Sequence, residues 1–211
     1  MDATKMPLPD AQTDDVVAMC DEVLRAFLRV REAFTRLDPA PLDEASRLVR
    51  LVHAQEHALI QRMVKVAAAP GIPSEADEEA IFVPMHLQRV GDNIELLGAA
   101  IGRMIREGIL FTDRGTSEVR RLLITVLEVL ECLRDGLRTG NRTILRYVQD
   151  NCRVCEAQAN EFAMFHEQRL IEGVCQPKAS SVYLAMLDHF RGIEWHARQV
   201  AEKLSSSLAG A

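Results

Sequence analysis

The sequence predicts an all-α protein built as two tandem three-helix bundles related by internal duplication, six long antiparallel helices in all. Three observations carry that prediction. Apolar residues recur in alternating steps of four and three along six segments, the stripe by which one helix lies along another at a shallow angle. Gly, Pro and Asp cluster between those segments, where helices stop and start, and strand signals are nearly absent. A single gapless offset of 103 residues then lays the first three stripes on the last three, Val16 falling on Val119 and Val90 on Ile193.

The first segment reads Val16, Cys20, Val23, Phe27, Val30, Phe34 and Leu37, and Asp38-Pro39-Ala40-Pro41 closes it. The second reads Ala45, Val49, Val52, Glu56, Leu59, Met63 and Val66, followed by Pro70-Gly71-Ile72-Pro73. The third reads Val83, Leu87, Val90, Ile94, Leu97, Ile101 and Met104, with Pro84 either in its first turn or kinking it. Thr112-Asp113-Arg114-Gly115 separates it from the fourth, Val119, Leu123, Val126, Leu130, Leu133 and Leu137. Gly140-Asn141 precedes the fifth, Leu145, Val148, Cys152, Cys155, Ala159 and Phe162; Gly173 and Pro177 precede the sixth, Met186, Phe190, Ile193, Ala197, Val200 and Leu204. Gly past a helix end and Pro near a helix start are the expected punctuation. The organisation that follows is a lead over 1–12, a first repeat over 13–111, a second over 116–205 and a short tail over 206–211 that continues a Ser-rich run from Ser205.

Composition narrows the function classes. With 48% hydrophobic and 27% charged residues, the 211-residue chain is of folded type. Aromatics at 5% argue against a β-sandwich or a base-stacking platform, and a net charge of −6 argues against nucleic acid or an anionic membrane surface as partner. Charge interrupts every apolar run well short of the roughly 18 residues a membrane span needs. The start, Met1-Asp2, lacks a signal-peptide pattern, so a cytoplasmic location with five reduced cysteines is expected.

Few positions offer chemistry. His53 and His57 stand four apart on one helix face and could chelate one metal, or simply form a solvated polar face. The 103 offset sets Glu156 and Asn160 opposite them. Gln88, Asp92 and Glu95 make a polar stripe on the third helix that a neighbouring helix could bring near the histidines. No histidine has Glu three residues before it, which excludes a ferritin-type di-metal oxidase. Cys152 and Cys155 form a C-x-x-C, but both fall on the apolar stripe, where thiols pack rather than react. Glu56, on the same kind of stripe, calls for a pairing arginine or a functional role. No phosphate-binding loop or catalytic triad signature is present, so no enzymatic activity is expected.

Several strings bear a resemblance: Phe82-Val83-Pro84-Met85-His86-Leu87-Gln88-Arg89-Val90-Gly91-Asp92-Asn93-Ile94-Glu95, Ile105-Arg106-Glu107-Gly108-Ile109-Leu110-Phe111-Thr112-Asp113, then His166, Arg169-Leu170, Gly173, Cys175, Pro177, Tyr183 and His196-Ala197-Arg198-Gln199-Val200-Ala201-Glu202. Across nearly the whole chain this resembles the PhoU-like family, most of all the PhoU-like cytoplasmic domain of sodium/phosphate cotransporters. The resemblance implies a non-catalytic regulator or accessory of phosphate transport that docks on a transporter or its sensor protein and forms a homo-oligomer. It also implies multinuclear metal sites built from acidic pairs on the second and third helices of each repeat. Carried onto this sequence, the metal candidates are His53, His57, Gln88, Asp92 and Glu156. Gln88 replaces an acid, His53 and His57 replace an acidic pair, Asn160 replaces an aspartate, and Arg191 and Trp195 replace both acids of the last helix. A nitrogen-rich first site suits a divalent transition metal such as zinc, nickel or iron better than a hard cation. The other readings are a metal-binding bundle with one site on the first repeat, and an oligomeric scaffold.

Overall fold

The computed structural model describes residues 10–67 and 75–210, with side chains for 12–62 and 81–208. Six helices follow one another: α1 (Asp10–Arg36), α2 (Pro41–Ala67), α3 (Glu75–Arg106), α4 (Asp113–Thr139), α5 (Arg142–Ile171) and α6 (Pro177–Gly210). The expected break at 70–73 lies outside the described residues, and the stripe residues Met63 and Val66 are described in their backbone only. Elsewhere the six stripes become the core, buried from Val16 to Leu204, with two exceptions. Leu37 lies beyond the end of α1 and is 58% exposed. Glu56 is only half-buried and makes no ion pair among the described residues, so the pairing arginine expected of a buried carboxylate is not required.

Local chemistry sets the boundaries. Pro41 and Pro177 open α2 and α6, where a missing N–H costs nothing. Thr112 caps α4 by accepting from the Gly115 N–H at 3.1 Å, so α4 starts at Asp113 inside the expected break. Asn141 caps α5 through the Thr143 and Ile144 N–H groups. Gly140 ends α4 at φ +62 with its N–H on the Gly136 carbonyl at 2.9 Å. Its counterpart at the offset, Leu37, takes φ +52 with a side chain that disfavours that region. Pro84 sits ten residues into α3 and therefore not in its first turn. The Ser205–Ser207 segment read as leading into a tail is helical, and Leu208 beyond it is buried.

Within each repeat the three helices pack on one another, and the repeats join through α3 against α6 and α1 against α4. The α3–α6 pair is antiparallel: His86 meets His196 midway, and Glu107 past the end of α3 meets Lys178 at the start of α6. The equivalent third helices of the two units thus pair in opposite directions, and the largest seam runs between them. A Cβ at Gly192 on this seam would fall 2.1 Å from Asn93 Oδ1, so only glycine admits the Asn93 amide there.

Candidate functional site

On the first repeat, α2 and α3 bring His53, Gln88 and Asp92 together. His53 Nε2 donates to Asp92 Oδ1 at 2.8 Å, and Gln88 Nε2 donates to both Asp92 oxygens at 3.1 and 2.9 Å. Gln88 Nε2 also lies 3.4 Å from His53 Nε2, a packing contact because both nitrogens carry their hydrogens toward Asp92. Arg89 Nη1 reaches Asp92 Oδ2 at 3.4 Å from the solvent side. His57 turns away and pairs with Gln61 at 2.8 Å. Among the described residues no three His, Cys, Asp or Glu side chains converge as a metal group would need. The donor set here is one imidazole and one carboxylate with an amide beside them, fewer than the three protein ligands of an open zinc site.

The second repeat has rebuilt the same place. Arg191 donates to Asn160 Oδ1 at 2.7 Å and also pairs with Asp188, filling with a guanidinium the position Gln88 holds in the first repeat. Trp195, at the Asp92 position, stands 44% exposed with its ring edge-on to His196 at 4.7 Å. Glu156 faces Arg198 at 4.0 Å and makes no contact with the first-repeat cluster. Beside it Glu194 is 1% exposed, and its Oε2 has no hydrogen-bond partner among the described residues. Burial, then the charge of Glu156, pushes the Glu194 carboxyl up to about 8 against the pull of Arg198. Its charge in turn adds to the burial that raises the Cys152 and Cys155 thiols, Cys155 to about 12, which keeps the C-x-x-C protonated and inert.

Two further polar clusters escape sequence reasoning. His86 Nδ1 and His196 Nδ1 share one hydrogen bond of 2.9 Å across the α3–α6 seam. Burial first, then the neighbouring histidine and Arg89, bring His196 down to about 4, and burial and Arg89 also lower His86, so both rings are neutral. The six histidines were visible in the sequence, but only the antiparallel α3–α6 register brings these two together. At the end of the second repeat, Arg169 grips Glu118 with two bonds of 3.0 and 2.7 Å, and the Tyr183 hydroxyl donates to Glu118 at 2.5 Å. Burial raises the Glu118 carboxyl, but Arg169, Tyr183 and Arg114 outweigh it and hold it below its ordinary value. The sequence offered no distinct signal for this group, since Glu118 is one of several acids on α4. Its first-repeat counterpart, Asp15, makes only a surface pair with Arg62.

No protein-family model matches the chain, and no curated protein matches it. Solved structures do. PhoU from Pseudomonas aeruginosa is similar over 96% of this chain and 97% of its own, at 16% identity and a TM-score of 0.86. The phosphate transport system regulatory protein PhoU from Streptococcus pneumoniae is similar over 95% of both chains, at 13% identity and a TM-score of 0.77. A PhoU-like protein from Shewanella oneidensis is similar over 95% of this chain and all of its own, at 13% identity and a TM-score of 0.60. At these identities the likeness is one of fold.

Proposed function

From the PhoU fold that the chain adopts over nearly its full length, we propose that it is a PhoU-like cytoplasmic regulator or accessory of phosphate transport, non-catalytic and acting by protein–protein docking. The observation that carries this reading is the end-to-end fold match, reaching from the first helix to the last, to a protein titled a phosphate transport system regulator. The partner it implies is a phosphate transporter or its sensor protein, engaged by a homo-oligomer. That none of the described helices is long and apolar enough to cross a membrane agrees with docking rather than insertion. Deleting the gene in its host and following uptake of labelled phosphate, in replete and limiting medium, tests it. Altered uptake or altered phosphate-responsive expression is expected; unchanged behaviour in both media sinks the proposal.

A second reading is favoured by the meeting of His53 and Asp92 across α2 and α3. A zinc, nickel or iron ion there would take this imidazole and carboxylate, with Gln88 beside them, and would need ligands from elsewhere to complete its shell. Metal content of protein purified without an affinity tag decides it. Bound metal should be lost in His53→Ala and retained in Glu156→Ala. Metal-free protein, or metal lost equally in both variants, removes the reading.

A further inference from the structure

The end of the bundle where α3 hands over to α4, and α5 to α6, holds a cavity of about 400 Å³, within the size range of small-ligand pockets. Both repeats build it. Ile109 and Phe111 line one side, Val174 and Ala179 the other, and Lys178 and His166 supply polar groups.

The chemistry of those polar groups defines what fits. His166 is 3% exposed, and Tyr183 stacks on its ring with centroids 4.5 Å apart. The Ser180 hydroxyl donates to the Gln176 carbonyl at 3.3 Å, so its hydrogen is engaged. With that hydrogen on Gln176, His166 Nε2 is the donor in its 2.9 Å bond to Ser180 Oγ. Burial first, with Arg169 adding to it against Glu118, lowers the affinity of the ring for a second proton. The ring is neutral, and Nδ1 is left as a lone-pair acceptor with no hydrogen-bond partner among the described residues. Lys178 supplies the opposite need. Its Nζ is 3.3 Å from Glu107, but Arg103 Nε already holds that carboxylate at 3.0 Å. Two cations share one anion, leaving a net positive charge at the rim. The first turn of α6, 34 residues long, adds the Lys178 N–H and the positive end of its dipole, the Ala179 and Ser180 N–H groups being taken by the Gln176 carbonyl.

We propose that this cavity binds a small organic anion that also carries a hydrogen-bond donor, a hydroxy acid in the simplest case. The acid group lies at Lys178 and the first turn of α6, the apolar body between Ile109, Phe111 and Val174, and the donor on His166 Nδ1. The site stands apart from the polar faces of α2–α3 and α5–α6 and does not depend on the transport reading.

Cys175 lines the cavity and is half-buried, Cys132 is half-buried on α4 away from it, and the other three thiols are buried. Alkylation of the full chain by iodoacetamide, followed at each cysteine by mass spectrometry, therefore reports occupancy with an internal control. The probes are 4-hydroxyphenylacetate, phenylacetate without the donor, tyrosol without the acid, and inorganic phosphate. Millimolar 4-hydroxyphenylacetate should slow Cys175 by about fivefold or more and leave Cys132 unchanged, with each truncated probe needing about tenfold more for the same protection. Lys178→Ala, at an exposed side chain, should fold normally by circular dichroism and bind 4-hydroxyphenylacetate no better than tyrosol. The proposal is overturned if no probe protects Cys175, if phosphate or either truncated probe protects as well as 4-hydroxyphenylacetate, or if the acid preference survives Lys178→Ala.

Discussion

Gly91 on α3 and Glu194 on α6 hold the same place in the two repeats. A Cβ at Gly91 would sit 3.5 and 3.8 Å from Val49 and Val52. In the second repeat those valines are Cys152 and Cys155, and the glycine is a buried glutamate set close to both thiols. One repeat closes the spot with apolar contact; the other keeps there a carboxyl that burial holds protonated. The same divergence recurs nearby. Asp92 with His53 becomes Trp195 with Glu156, and Asp15, in a surface pair with Arg62, becomes Glu118, buried with Arg169 and Tyr183. Duplication has preserved the stripes, because every side chain there is needed to fill the core, and has released the positions beside them.

The acid pairs offer the largest effect. Arg169→Ala strands Glu118 in a buried site and should cost about 3–5 kcal/mol in urea unfolding. Arg62→Ala, which opens the exposed counterpart, should cost no more than about 1 kcal/mol. Equal losses would erase the distinction between the repeats.

Next comes pH. The Glu194 carboxyl ionises near 4.5 when unfolded and near 8 when folded. Its stabilising contribution is complete below about pH 4.5, where both states are protonated, and is lost as pH rises toward 8. That amounts to roughly 2–3 kcal/mol between about pH 5 and 7. Glu194→Gln should flatten the pH dependence of stability over that window. A variant with the slope of the parent chain would show that Glu194 is not held protonated.

The helix ends give the smallest effect. Gly140→Ala places a side chain at φ +62 and should cost about 1–2 kcal/mol, whereas Leu37→Gly relieves the same conformation and should gain up to about 1 kcal/mol. Opposite signs in thermal melting sharpen the comparison; matching signs break it.

Much of the fold was legible from periodicity, because core positions on long helices repeat in steps that survive divergence. The stripes and the tandem duplication both follow from the residues at Val16, Val119 and their successors. The boundary errors came from local chemistry: Leu37 looked like the end of a stripe, and the serines before Leu208 looked like a tail. The candidate site was half legible. His53 and Asp92 meet as the polar stripe suggested, while His57 faces Gln61 instead. The His86–His196 pair was not legible because it depends on how α3 meets α6 across the repeats, and Glu194 and the Arg169–Glu118 grip were not because each depends on how the helices of the second repeat pack on one another.

The most direct measurement of the functional claim is capture of partners by the intact chain from its host, grown with replete and with limiting phosphate, followed by mass spectrometry. The account predicts a phosphate transporter component or its sensor protein bound in at least one of the two conditions. Recovery of neither in both conditions would contradict it.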